Sequence, residues 1–188
     1  MTTLEKRITT DQFEAFIARP EHADRRFELI DGEIVEKAMP NFIHGYITMR
    51  LGQSLNNYFD THPEITGFIV GEGRVRPAND DANDRLPDAA IIVGEQQITD
   101  DSVANYIPPI CIEVKSKSDR FPPLRQKAEF YLTHSAVYAL IFIPAKRAIE
   151  IHTEEAVTLL DAAAVLTFPD LLPGFSVSVD KLFPPESV

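Results

Sequence analysis

Two hydrophobic periods alternate along this chain. Segments with apolar residues near every 3.6 positions are separated by alternating or unbroken apolar runs. Thr9 and Thr10 precede Asp11 to Ile17, and Thr9 with Gln12 fits a capping box, so the chain opens on a short helix that Pro20 ends. Arg26 to Glu36 is two alternating runs around Asp31-Gly32, a strong hairpin signal. It predicts Phe27, Leu29 and Val35 on one face and Glu28 with Ile30 on the other. From Asn41 to Phe59 the residues Phe42, Ile43, Tyr46, Ile47, Leu51, Leu55, Tyr58 and Phe59 form a helical stripe, with Asn41 as N-cap and Pro63 as stop.

The middle of the chain reads as strands. Gly67 to Arg76 is one, followed by the acidic stretch Ala78 to Arg85, which lacks the register and glycine of a calcium loop and reads as a solvated turn. Leu86 to Val93 is a continuous apolar run, hence a strand covered on both faces. Gly94 to Tyr106 is polar and predicts a surface loop. Ile110 to Val114 is a further strand. Ser118 and Asp119 are cap candidates for a helix with Pro122-Pro123 in its first turn and a stripe of Leu124, Ala128, Tyr131 and Leu132, bordered by Lys127. The apolar run Val137 to Ile143 then implies a parallel crossover. Ala148 to His152 and Ala156 to Leu160 predict a returning hairpin, and Ser176 to Val179 a last short strand before a frayed tail. Neither a repeat nor a linker interrupts the sequence, so the expectation is a single domain over residues 1–188.

Composition narrows the class. With 188 residues, 44% of them hydrophobic, a substantial core is affordable. No apolar run reaches the length of a membrane span, and Met1 to Arg7 lacks the stretch of a secretory signal. The lone Cys111 sits in an apolar run and reads as a small buried hydrophobe, compatible with a reducing, cytoplasmic setting. A net charge of −11 counts against a protein that coats nucleic acid by bulk electrostatics. Charge is uneven, however: Cys111 to Tyr131 carries Lys115, Lys117, Arg120, Arg125 and Lys127, while Ala148 onward has seven acids and only Lys181. A polyanion would meet the middle of the chain.

The strand Ile110 to Val114 carries the candidate chemistry. Side chains alternate, so Ile110, Ile112 and Val114 share one face, and Cys111, Glu113 and Lys115 share the other. Opposite charges on an apolar strand are costly unless paired, hydrated or bound. Asp88 enters the core on another apolar run. An Asp followed by Glu-x-Lys suits metal-assisted phosphodiester hydrolysis. Mg²⁺ or Mn²⁺ is held by one or two carboxylates plus water and phosphate, and a lysine beside it orients water and stabilises charge. Spacing alone favours a plainer reading, a Glu113–Lys115 or Asp88–Lys115 ion pair at a sheet end. His44, in the first turn of its helix, is either a hydrogen-bonded, partly buried histidine or part of the site.

The local sequences add a resemblance. Arg26-Phe27-Glu28-Leu29-Ile30-Asp31-Gly32-Glu33, His44, Pro87-Asp88, Pro108 to Ser116, the Lys127–Tyr131 helix with the strand after it, and Leu172-Pro173-Gly174-Phe175 to Leu182-Phe183 resemble the PD-(D/E)xK restriction-endonuclease-like superfamily. Within it they resemble the Uma-two family of predicted bacterial endonucleases. The likeness covers most of the chain. It implies an α/β (α+β) restriction-endonuclease-like core, a mixed central sheet flanked by helices. It implies that Asp88 and Glu113 bind Mg²⁺ or Mn²⁺, that Lys115 completes the catalytic site, that Glu28 assists the metal, and that Lys127 matches the polar residue on the following helix. His44 falls on a position characteristic of the family. The acidic charge is the departure, and it bears on binding to duplex DNA.

Two function classes follow. One is a Mg²⁺-dependent DNA endonuclease, which a homodimer would suit if both strands are cut. The other is a catalytically idle nuclease-fold protein serving as a binding or assembly module. A glycosidase using Asp88 and Glu113 leaves Lys115 unexplained, and the chain has no Trp to stack on a sugar.

Overall fold

The computed structural model describes residues 7–95 and 103–185. The chain runs α1 (Thr10–Ile17), β1 (Arg26–Ile30), β2 (Glu33–Lys37), α2 (Phe42–Thr61), β3 (Gly67–Gly71), β4 (Arg74–Val75), β5 (Ala89–Val93), β6 (Val103–Ala104), β7 (Ile110–Val114), α3 (Phe121–Thr133), β8 (Tyr138–Ile143), β9 (Ala148–His152), β10 (Val157–Leu160), β11 (Val165–Phe168) and β12 (Leu172–Ser178). A six-stranded sheet in the order β10-β9-β8-β7-β5-β3 forms the centre. β7 and β8 are parallel and joined through α3; the other neighbours are antiparallel. This is the expected mixed sheet flanked by helices.

Each face of the sheet has its own core. Ile110, Ile112 and Val114 pack with Ile47, Leu51 and Leu55 of α2 and with Phe168 and Phe175 of the β11–β12 hairpin. Cys111, Ile141 and Ile143 pack on the other face with Ala128 and Tyr131 of α3. Burying one such aliphatic side chain contributes about 1.5–3 kcal/mol. Leaving one charge unpaired in the same interior costs several. Glu113 can therefore occupy β7 only with partners, and the second face must supply them.

A third cluster joins α1 to the β1–β2 hairpin through Phe13, Phe27 and Leu29. Thr9 and Gln12 form the expected capping box. Asp31 and Gly32 both have positive φ, 51° and 83°, as the tight two-residue hairpin turn requires. The free edge of β1 is covered by the preceding loop of β5: Leu29 exchanges backbone hydrogen bonds with Asp84, at 2.8 and 2.9 Å. This pairing carries Glu28 to the mouth of the central sheet.

Several expectations need correction. Val35 stands opposite Glu28 and so shares its face; Ile34, opposite Leu29, joins the Phe27 and Leu29 cluster instead. Gly67 to Arg76 is two strands: β3 lies in the central sheet, and β4 pairs with β6. The acidic stretch before β5 is not a solvated turn. Asn83, Asp84 and Arg85 are buried, because Arg74 and Arg76 both bind the Asp84 carboxylate. Phe42 leaves the apolar stripe of α2 and is 100% exposed, since the first residue of the helix projects beyond the sheet.

α3 is capped by neither Ser118 nor Asp119; Asp119 instead accepts from the Ser116 N–H at 2.7 Å. The last strand is longer than Ser176 to Val179 and pairs with β11. The polar loop Gly94 to Tyr106 contains β6, and its residues 96–102 lie outside the described residues, as do residues 1–6 and the tail 186–188. Among the described residues no helix is long and apolar enough to cross a membrane.

Candidate active site

Antiparallel pairing of β5 with β7 sets Ala89 opposite Ile112, so the next pair outward is Asp88 opposite Glu113. Both carboxylates then share the α3 face of the sheet. Asp88 is fixed by its own N–H, which donates to the Ile112 carbonyl at 2.9 Å, and by Oδ2, which accepts from the Val114 N–H at 2.6 Å. Glu113 Oε1 accepts from the Tyr131 hydroxyl at 2.8 Å and lies 2.8 Å from Lys127 Nζ. Glu28 Oε1 accepts from the Leu86 N–H at 2.6 Å and lies 2.7 Å from the same Lys127 ammonium. One helical turn separates Lys127 from Tyr131, so α3 delivers both to Glu113.

The second cation of the cluster is Lys37, at the end of β2. Its ammonium donates to Asp88 Oδ1 at 2.8 Å and to the Leu86 carbonyl at 2.6 Å, and it faces Glu113 Oε2 at 3.8 Å. Each sheet carboxylate thus has one oxygen tied to the protein and the other turned toward one positive point. Among the described residues, no three His, Cys, Asp or Glu side chains converge on one metal-sized position. The convergence is of two carboxylate oxygens and a carbonyl, around an ammonium. That donor set fits a hard divalent cation, which takes one or two carboxylates and completes its shell with water and phosphate.

Burial pushes the Asp88 carboxyl up, but the Lys37 ammonium outweighs it and holds this group below the usual range. Burial also pushes Glu28 up, and Lys127 and Lys37 reverse it to a net lowering. At Glu113 burial prevails: its carboxyl is raised despite Lys127 and Lys37, with the charges of Asp88 and Glu28 adding to the rise. Burial would lower Lys127, yet Glu113 and Glu28 raise it, so it stays an ammonium. The Tyr131 hydroxyl is pushed far up by burial and by Glu113, so it remains a donor.

His44 lies at the same mouth. Asn41 Oδ1 accepts from the Ile43 N–H and lies 2.9 Å from His44 Nδ1, which must therefore donate. In neutral His44 this leaves the lone pair on Nε2, 3.8 Å from Asp88 Oδ2. Two clefts meet here. A polar one of about 840 Å³ is lined by Glu28, Lys37, Asp88, Glu113, Arg120 and Lys127. An apolar one of about 1130 Å³ lies beside Phe42, Tyr46 and Met49.

Of the residues singled out by sequence, Glu28, His44, Asp88, Glu113 and Lys127 come together. Lys115 does not join them. Its Nζ donates to the Ser116 carbonyl at 3.0 Å and lies 5.3 Å from the centre of the Phe121 ring. Lys37 and the role of Tyr131 were missed. The signal for Lys37 is present in the hairpin: a two-residue turn at Asp31-Gly32 sets Glu28 opposite Val35, and alternation then puts Lys37 on the face of Glu28.

Comparison with known proteins gives a family and a fold. A family model described as "Uma2: Putative restriction endonuclease" matches residues 11–180. The fold is similar to that of a putative nuclease belonging to DUF820 from Anabaena variabilis, with a TM-score of 0.76 over 93% of this chain and 97% of that one. Sequence identity is 19%, so this likeness concerns the fold. No curated protein matches.

Proposed function

The chain belongs to the Uma2 family, described as putative restriction endonucleases, and on that premise we propose that it is a divalent-metal-dependent nuclease hydrolysing phosphodiester bonds in DNA. One observation carries the reading. Asp88 Oδ1 and Glu113 Oε2, on adjacent strands, are aimed at a single cation position at the mouth of a polar cleft. Asp88 and Glu113 would hold Mg²⁺ or Mn²⁺, with the Leu86 carbonyl beside them. When bound, such an ion supplies a water of lowered pKa and neutralises charge on the scissile phosphate.

The protein groups divide the remaining work. The Val114 N–H and the Tyr131 hydroxyl fix the two carboxylates, so each presents one oxygen and little reorganisation is needed. Lys127 compensates the buried charge of Glu28 and Glu113 and keeps that wall rigid. Glu28, tied to Lys127 and the Leu86 N–H, acts as a support for the metal-facing pair. His44 Nε2 can accept a proton at the cleft and pass it to water. Lys117 and Arg120, exposed ahead of α3, are placed to meet substrate phosphates. Binding of DNA should accordingly be weak and sensitive to salt.

The test is cleavage of plasmid and single-stranded DNA with Mg²⁺ or Mn²⁺, with and without chelator, beside Asp88→Ala, Glu113→Ala and Lys115→Ala. Chelator-sensitive cleavage that Asp88→Ala and Glu113→Ala abolish supports the proposal. Cleavage surviving both contradicts the site. The position of Lys115, turned onto Ser116 and Phe121, favours a second reading in which the fold binds without cutting. Specific Mn²⁺ binding with no cleavage of any nucleic acid would establish that reading instead.

A further inference from the structure

Lys37 is unlike the other cation of the cluster. Lys127 projects from the middle of α3, is buried, and contacts Glu28, Glu113 and the Leu86 carbonyl at 2.7, 2.8 and 3.1 Å. It has nowhere to go. Lys37 is the last residue of β2, on the face it shares with the exposed Val35, and its side chain is 18% exposed. A short connection, residues 38–41, separates it from α2. Its ammonium is surrounded by the same oxygens a hard cation would take: Asp88 Oδ1, Glu113 Oε2 and the Leu86 carbonyl.

Charge points the same way. Glu28, Asp88 and Glu113 face Lys37 and Lys127, with His44 Nε2 3.8 Å from Asp88 Oδ2, and three carboxylates against two ammonium groups leave one negative charge over. A divalent ion in the place of the Lys37 ammonium brings the cluster to balance. The two cations cannot share the position, since like charges a few ångströms apart in a desolvated site repel strongly.

Resting on the metal-site reading above, we infer that Lys37 is the built-in cation of this site: it holds Asp88 and Glu113 poised in the metal-free protein and yields their oxygens to the divalent ion. The yielding side chain stays tethered at the cleft rim. There its ammonium is free to meet a non-bridging phosphate oxygen. Lys37 is a positioning residue in the metal-free state, acting through the two carboxylates.

A residue with a merely structural role weakens metal binding when it is removed; a displaced competitor strengthens it. Calorimetric Mn²⁺ titration of wild type, Lys37→Met, Lys37→Gln, Lys115→Met and Asp88→Ala separates the two. Removing the competing charge should tighten Mn²⁺ binding about tenfold in both Lys37 variants. Lys115→Met should not tighten it, and Asp88→Ala should abolish it. Lys146→Met, at an exposed lysine that makes no contact with the cluster's acids, controls for the change in net charge. In chelator both Lys37 variants should melt below wild type and recover more on adding Mn²⁺ than wild type does. Wild-type binding with unchanged or weaker binding in folded Lys37→Met and Lys37→Gln overturns this inference and leaves the metal site standing. No Mn²⁺ binding by any of the proteins overturns both.

Discussion

Two of the buried clusters of opposite charges among the described residues contrast, and only one of the two has the makings of a site. Beneath α1, Asp84 and Glu14 meet Arg74 and Arg76: both guanidinium groups bond both carboxylates. Asp84 is completely buried and the charges cancel. At the sheet mouth, Glu28, Asp88 and Glu113 meet Lys37 and Lys127, and they do not cancel. The first cluster uses forked arginines, which lock onto carboxylates in fixed geometry. The second uses ammonium groups, point charges whose place another cation can take. Buried charge alone therefore does not mark a functional site. Imbalance, an exchangeable cation and an opening to solvent do.

The largest expected contrast is between acids of the two clusters. Asp88→Ala or Glu113→Ala should lower metal-dependent cleavage by at least about a hundredfold, because a ligand is lost outright. Asp84→Ala should leave cleavage per folded molecule unchanged. Its own cost is stability: two buried guanidinium groups lose one of their two counter-charges and keep only Glu14, for about 3 kcal/mol. Parallel melting and cleavage assays of the three variants check this, and loss of cleavage in folded Asp84→Ala would erase the distinction.

A smaller effect concerns Tyr131. Tyr131→Phe removes one hydrogen bond to a charged, buried carboxylate and should cost about 1.5–3 kcal/mol by denaturant melting. It should weaken Mn²⁺ binding too, since Glu113 loses part of what aims Oε2 at the cleft.

The smallest is a pH effect confined to the arginine cluster. Hydrogen bonding from Arg74, then its charge and those of Arg76, lower the Glu14 carboxyl below its ordinary value of 4.5. The unfolded chain thus takes up the proton first as pH falls. The stability that Glu14 contributes is fully present above 4.5 and is lost as pH drops through its lower folded value. Glu14→Gln should flatten that part of an acid-unfolding profile. An unchanged profile would place the acid sensitivity elsewhere.

The two clusters also differ in how far the sequence revealed them. Asp88 and Glu113 were legible because each interrupts an apolar strand, where a charge needs a reason. Glu28 and Lys127 were legible as charges at the border of apolar faces. Asp84 was not: it sits in a run of acids and amides that reads as solvated, and only the return of Arg74 and Arg76 from β4 makes its burial affordable. Lys115 differs again. Alternation put it on the face of Glu113, but β7 ends at Val114, and past the strand end the side chain turns to Ser116 and Phe121. Lys37 was hidden in an exposed, charged ribbon strand, although hairpin register ties it to Glu28. Elements came through where local period and core agreed, as in α2, β7 and β8. They failed where pairing depends on a distant partner, as with β4 and β6, and where a register shift breaks the alternation, as in the β11–β12 hairpin.

The proposed site stands or falls on Asp88 and Glu113 sharing one divalent cation. Its most direct measurement is a calorimetric Mn²⁺ titration of wild-type protein beside Asp88→Ala and Asp84→Ala. Saturable binding that Asp88→Ala abolishes and Asp84→Ala preserves is the predicted result. Binding that survives Asp88→Ala, or no binding by the wild type, would contradict it.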